Sequence, residues 1–359
     1  PKQIHATHRL LLAKQLLTET DLPITDVALA AGFNSVRRFN AAFLDGLALA
    51  PGQVRRQRST GPSRGTVLRL GYRPPLDFPL MLAFLSRRAI PGIERIDADA
   101  YRRVVGTGND AGLLRVTADP ERPELRLQLE GIAPRDIPDV VRRVRRLFDL
   151  DADLQQVHAC LGRDPLLARG IHRRPGLRVP GSWDGFELAV RAVLGQQVSV
   201  AAATTLAARL VQRHGRALPD MPEGLDRTFP LPPALADAAL EEIGLPSSRA
   251  RTLRGLAQAC VEGRLDLGPG QQMAPFLAQC TALPGIGPWT ASYMAMRAMA
   301  MPDAFPAGDL VLQQVLGHAH GQRLSERATE ARSQAWRPWR AYAVLHLWHL
   351  SGTFVGEPT

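Results

Sequence analysis

The segment Leu283-Pro-Gly-Ile-Gly-Pro-Trp-Thr-Ala constrains this chain more than any other stretch. Apolar residues at helical spacing flank it, and the prolines and glycines in its centre must end one helix and begin the next. Gly285 and Gly287 supply the backbone freedom that a tight hairpin between two helices requires. The hairpin Leu283, Pro284, Gly285, Ile286 and Gly287 presents its backbone N–H groups, of which Pro284 has none, where the chain opens onto a helix N-terminus. That geometry holds a phosphate through amides and the helix dipole without reading sequence. An ordinary helix–helix turn is the other reading of the same residues. A second feature lies 22 residues beyond Gly287, where Asp309 precedes Leu310-Val-Leu-Gln-Gln. A carboxylate there can cap the helix that begins at Leu310, and a helix N-terminus favours negative charge.

Charge narrows the class of partner. Across 359 residues, 44 Lys and Arg oppose 34 Asp and Glu, for a formal charge of +10. A basic balance suits a polyanion, most simply nucleic acid. Only Lys2 and Lys14 are lysines, so an arginine bias of composition explains part of the excess. Cys160, Cys260 and Cys280 are scattered. Their spacing fits neither a zinc site nor an iron–sulfur cluster, and they read as core residues in a reducing compartment. No apolar run reaches membrane-spanning length, and no signal-peptide pattern opens the chain. The expectation is a cytoplasmic monomer without a membrane partner. The chain opens on Pro1 and not Met, which suggests a fragment of something longer.

The length suits two or three domains. Residues 1–59 read as helical, and 60–65 as a short polar linker. From Thr66 the pattern alternates as strands do, at 66–72, 101–105, 112–118 and 125–129, with helical stretches at 79–88 and 137–148. This is a compact α+β unit. From about Asp184 the chain is helical to its end. The expected fold is therefore multidomain, α and α+β.

In the front segment, residues 8–20 form an amphipathic helix. Thr25 can cap the next helix and Ser35 the one after it, with Gly32 at the turn between them. Val36, Phe39 and Phe43 recur at helical spacing, which leaves Arg37, Arg38 and Asn40 on other faces, able to reach DNA. A packing module with solvated arginines is the alternative. The pattern Ile-x-x-Val-Ala-x-x-x-Gly-Phe-x-Ser, continued by Leu49-Ala-Pro-Gly-Gln-Val-Arg-Arg, resembles the second helix-turn-helix of AraC-type regulators. Those carry two such units; one is visible here.

The hairpin followed by Gly308-Asp309 resembles the helix-hairpin-helix DNA glycosylase superfamily. Further stretches narrow this to the AlkA-type 3-methyladenine DNA glycosylase II family: 74–89, Leu147-Phe-Asp-Leu, 189–200 and 336–350. The resemblance runs from about Val67 to the C-terminus, and the front segment makes the whole similar to Ada/AlkA adaptive-response fusions, without their zinc-binding methyl-acceptor domain. It implies three units: a single, truncated helix-turn-helix at 1–59, a TBP-like α+β domain at 67–180, and an all-helical helix-hairpin-helix glycosylase domain at 181–359. It also implies an activity, base excision repair of duplex DNA carrying alkylated bases, by a monofunctional N-glycosylase.

The resemblance assigns roles as well. Asp309 is the catalytic carboxylate. Trp348, Trp289, Tyr293 and Phe84 form the pocket, where an electron-deficient base stacks by the cation–π effect. Residues 283–287 hold the DNA backbone. Gln196 and Gln197 occupy the loop that wedges into the vacated stack, although the family has an apolar residue where Gln197 stands; a helix-capping loop is the alternative. No cofactor is required, and the hairpin carbonyls can hold a structural monovalent cation, Na or K. His346 and His349, at i and i+3, read as packing histidines and not a metal pair. Trp289 stands where bifunctional members carry a lysine. The competing reading is a DNA-binding transcription regulator with a catalytically inactive glycosylase-like body, for which Asp309 would be dispensable.

Overall fold

The computed structural model describes residues 2–20, 22–56, 66–106, 111–318 and 321–354. Pro1 and the linker 60–65 lie outside them. The front segment folds as α1 (Lys2–Glu19), α2 (Ile24–Ala30), α3 (Val36–Leu47) and α4 (Pro51–Arg56). Ser35 caps α3 by accepting from the Arg38 amide at 3.3 Å. Thr25 does not cap α2: Pro23 holds that position, without a side-chain cap, and the Thr25 hydroxyl faces Asp26. Gly32 turns the chain at φ +78°, and the Arg9 guanidinium packs on it while donating to the Ala31 carbonyl at 2.9 Å. Phe39 and Phe43 fill the interior. Arg37, Arg38 and Asn40 are exposed.

An antiparallel sheet follows. Its strands are β1 (Thr66–Gly71), β2 (Glu94–Ile96), β3 (Ala100–Val105), β4 (Gly112–Ala118) and β5 (Glu124–Glu130), in the spatial order β1-β5-β4-β3-β2. On β5, Leu125, Leu127 and Leu129 alternate inward while the residues between them face solvent, as a half-buried sheet demands. Helices α5 (Phe78–Ser86) and α6 (Ile137–Leu147) accompany the sheet. Asp77 caps α5 and receives Arg174 at 3.1 Å. The short strand β2 is absent from the sequence reading; three residues alternate too briefly to register.

Eleven further α-helices follow among the described residues: α7 (Leu154–Leu161), α8 (Pro165–Arg173), α9 (Gly185–Leu194), α10 (Val200–His214), α11 (Pro232–Ala236), α12 (Ser247–Val261), α13 (Met273–Thr281), α14 (Pro288–Arg297), α15 (Leu310–Gly317), α16 (Glu326–Ser333) and α17 (Arg340–Leu350). Helices α7 and α8 pack with the last helices of the chain. A Cβ at Gly170 would lie 3.1 Å from His346, and Asp164 accepts from the Trp336 indole at 3.1 Å and from Arg332 at 2.6 Å. His346 is 1% exposed, and burial pushes its imidazole down to about 3, so it is a neutral packing residue.

A buried ionic network ties the sheet to the helices. Arg103 on β3 bonds Glu94 on β2 at 2.8 Å and also pairs with Glu187 on α9. Arg191, one turn along α9, bonds Glu94 at 2.6 Å and Glu187 at 3.0 Å. Burial opposes ionisation of Glu94, but Arg191 and Arg103 outweigh it and hold the carboxyl well below its usual range. Breaking such a network by removing one partner strands the others, at a cost of about 3–5 kcal/mol. It fixes the position of α9, whose C-terminal end carries the loop 195–199.

Candidate active site

The two arms of the hairpin are α13 and α14. Leu283 and Ile286 point into the core, at 8% and 4% exposure, so their side chains anchor the hairpin from below. Pro284, Gly285 and Gly287 are exposed. The two glycines serve different ends. Gly285 sits at φ +88°, and a Cβ there would lie 2.0 Å from the Thr252 hydroxyl. Gly287 has an ordinary φ of −86°, and its Cβ would meet nothing within 4 Å. Gly285 shapes the turn; Gly287 keeps the surface low in front of the first turn of α14, whose amides lack intrahelical partners.

The loop after α9 leans on this hairpin. Gln196 donates to the Gly285 carbonyl at 2.9 Å and to the Thr290 hydroxyl at 3.1 Å, while its own carbonyl accepts from Arg249 at 2.7 Å. It is a brace. Gln197 next to it is exposed, in the left-handed region at φ +55°, and Val198 beyond it is also exposed. Ser199 caps α10 through the Ala202 amide at 3.2 Å, so capping falls to Ser199 and leaves Gln197 unengaged by it.

Asp309 is the N-cap of α15. Its Oδ1 accepts from the Leu312 amide at 3.0 Å and from the Trp348 indole at 3.3 Å; its Oδ2 accepts from the Trp289 indole at 2.9 Å. Three N–H donors thus satisfy a carboxylate that is 7% exposed. The same indoles line a cavity of about 430 Å³, with Tyr293 and Asp309 on its wall. Trp289 stacks on Tyr293 with centroids 5.3 Å apart and planes 9° from parallel, and Tyr293 lies 6.5 Å from Trp348. Three predicted pocket residues and the predicted carboxylate are therefore together.

Phe84 also reaches this wall, but it is 1% exposed. Its ring stacks on Phe354 at 4.9 Å and lies under the guanidinium groups of Arg88, at 3.7 Å, and Arg297, at 4.8 Å. These arginines, absent from the sequence reading, are the polar part of the wall. Their signal is an aromatic followed by arginine four residues later, at Phe84/Arg88, where α5 runs into a turn, and at Tyr293/Arg297 on α14, a spacing that brings side chains into contact. Arg297 donates to the Pro180 and Gly181 carbonyls at 2.8 and 2.9 Å and to the Tyr293 hydroxyl at 2.7 Å. Burial opposes ionisation of the Tyr293 phenol, but Arg297 and Arg88 outweigh it and its pKa is lowered. Arg37, Arg38 and Asn40 belong to the front segment and take no part in this cavity.

Over 354 residues the chain is 40% identical to the Mycobacterium tuberculosis protein described as a probable bifunctional transcriptional activator/DNA repair enzyme AlkA, covering 97% of this chain and 71% of that one. The chain belongs to the AlkA family. The AlkA N-terminal domain model matches residues 67–184, the model for HhH-GPD superfamily base excision DNA repair proteins matches 190–341, and a helix-turn-helix domain model matches 1–57. The Escherichia coli DNA-3-methyladenine glycosylase 2 is 37% identical over 289 residues, 79% of this chain and 97% of that one. The 3-methyladenine DNA-glycosylase from Archaeoglobus fulgidus shares the fold, with a TM-score of 0.69 at 22% identity over 80% of this chain and 99% of that one. As an AlkA-family member the protein is a helix-hairpin-helix DNA glycosylase, with a helix-turn-helix segment in front. No described helix is long and apolar enough to cross a membrane.

Proposed function

We propose that this protein excises alkylated purines, 3-methyladenine and 7-methylguanine among them, from duplex DNA by hydrolysing the glycosidic bond of a flipped-out nucleotide. The observation that carries this reading is Asp309, a carboxylate held by two indoles at the wall of an aromatic cavity. A methylated purine carries positive charge and leaves readily. Flipping it out costs roughly a few kcal/mol, and the cavity falls in the size range of small-ligand sites. Stacking against Trp289, Tyr293 and Trp348 favours an electron-deficient ring.

As the C1′–N bond breaks, the base takes the bonding electrons and loses its charge. Asp309 stabilises the cationic character that develops on the sugar and orients a water, whose oxygen bonds C1′ and whose proton leaves through the carboxylate or solvent. The hairpin and α14 hold the backbone phosphate, and Gln197 fills the vacated stack. One protomer suffices for these roles. Every group in the scheme is a side chain, an amide or water. A monovalent cation on the hairpin carbonyls would be structural; the Gly285 carbonyl already accepts from Gln196 and the Leu283 carbonyl from the Ile286 amide at 3.1 Å.

Strand cleavage needs an amine that forms a Schiff base with the sugar. The only lysines are Lys2 and Lys14, both on α1 in the front segment. The proposed product is an abasic site in an intact strand. The test is incubation with methylated duplex DNA, with and without borohydride. Free methylated base and an intact, alkali-labile strand are expected. A borohydride-trapped adduct would overturn the monofunctional assignment, and absence of base release would favour a DNA-binding regulator with an inactive body.

A further inference from the structure

Arg88 is placed unlike the other cations of the cavity wall. Arg191 is neutralised by Glu94 and Glu187, and Arg297 is engaged by two carbonyls and the Tyr293 hydroxyl. Arg88 gives one N–H to the Phe84 carbonyl at 3.1 Å, and the nearby Tyr293 phenol favours its charged form. Among the described residues, no carboxylate lies within 4.0 Å of the Arg88 guanidinium, whereas Arg191 pairs with Glu94 at 2.6 Å. Its plane is held over the Phe84 ring at 3.7 Å. Burial, reinforced by Arg297 and Arg87, pushes it down to about 10. A guanidinium has five N–H donors in a fixed fork, so donors remain at a wall where a partly desolvated cation lacks a counter-charge.

We propose that Arg88 is a specificity-determining residue, whose guanidinium donates to an acceptor on the edge of the flipped base and so favours a base with a carbonyl oxygen. This rests on the reading that the cavity receives such a base. Both methylated purines named above are cationic, so repulsion from Arg88 acts on each and does not separate them. They differ at C6: 7-methylguanine carries a carbonyl oxygen, which accepts, and 3-methyladenine an amino group, whose donors oppose those of Arg88. A hydrogen bond to a charged donor that one base makes and the other cannot is a basis for selection.

Dimethyl-sulfate-treated duplex DNA holds both lesions, so one reaction yields both rates. Released bases are separated by chromatography, and the ratio of 7-methylguanine to 3-methyladenine release is independent of how much enzyme is folded. For Arg88→Met, which keeps an apolar stem and loses charge and donors, we expect that ratio to fall about tenfold relative to wild type, with Arg88→Lys between the two. Equal losses for both bases in Arg88→Met, or release of 3-methyladenine alone by wild type, would overturn the role of Arg88 and leave the glycosylase reading intact. Release of neither base by wild type would overturn both.

Discussion

Trp289 donates its indole N–H to Asp309 Oδ2 at 2.9 Å, joining the helix after the hairpin to the cap of α15. Trp348 and the Leu312 amide donate to the other oxygen. Every group that meets this carboxylate is therefore a donor. The aromatic wall and the carboxylate form one unit, in which the carboxylate orients the indoles and the indoles orient the carboxylate.

Asp309→Asn tests that unit. Size and helix capping suggest a mild change, but the structure adds a penalty. An amide offers one acceptor oxygen and an NH₂, so a donor must face at least one of the indole N–H groups. We expect a loss of about 1–3 kcal/mol of stability from the unmatched donor, read by thermal denaturation. Single-turnover release of a methylated purine should fall about 10²–10³-fold, while affinity for an abasic duplex persists through the hairpin. Wild-type-like release would remove Asp309 from the chemistry.

The two hairpin glycines should separate folding from DNA binding. Gly285→Ala places a Cβ 2.0 Å from the Thr252 hydroxyl at φ +88°. The backbone strain alone is worth about 1–2 kcal/mol, and we expect a clearly lowered melting temperature. Gly287→Ala meets open space at an ordinary φ, so melting should shift little. Its methyl group would instead stand where a phosphate approaches α14, and duplex affinity should fall. If Gly287→Ala bound DNA as well as wild type, the hairpin would not be the phosphate cradle.

The hairpin and Asp309 were legible because each depends on local chemistry: Pro and Gly fix a turn, and a carboxylate caps the next helix. The aromatic residues around Asp309 followed from the family resemblance, since Trp348 and Trp289 are 59 residues apart and no local rule brings them together. Thr25 failed as a cap because Pro23, with its fixed φ, starts α2 earlier. Phe84 lines the cavity as the resemblance implies, but its ring is largely covered by Phe354 and two arginines, contacts that cross from α5 to α14 and that no local pattern reveals. Arg88 and Arg297 do not stand out among the chain's many arginines, because composition alone does not say which are buried.

Asp149 carries a pH dependence with a definite sign. Burial pushes its carboxyl up to about 7, against the Tyr342 hydroxyl bond and the charge of Arg178 that lower it; Asp151 raises it further. The Tyr342 hydroxyl donates to its Oδ2 at 2.8 Å. A carboxyl raised in the folded state favours folding while protonated, fully below its unfolded value near 4. That contribution is lost as pH rises from there through about 7. Asn has no such titration and accepts the left-handed backbone found here at φ +52°. Asp149→Asn should thus be more stable than wild type at pH 8, by about 1 kcal/mol or more, with the advantage shrinking toward pH 5. Thermal melts at both values check this; a variant less stable at pH 8 would show that the charged form is the one the fold prefers.

Gln197 should trade stability against activity. It is exposed and held at φ +55°, a conformation that costs a residue with a Cβ about 1–2 kcal/mol and glycine little. Neighbouring Gln196 is engaged by the hairpin and Ser199 by the cap of α10, so neither supports the Gln197 side chain. Its strain is the kind that persists where a side chain must be presented outward. Gln197→Gly should therefore raise stability by up to about 1 kcal/mol. It should also slow excision, because a flipped nucleotide returns to the stack when nothing fills the space it left. Gln197→Leu keeps the side-chain bulk and loses its polar end; it should retain the strain and most of the rate if filling is what matters, and lose rate if hydrogen bonding to the orphaned base is. Melting temperature and single-turnover release, measured together on the three proteins, decide it. A glycine variant that is both more stable and as fast as wild type would make this loop a brace for the hairpin and no wedge at all.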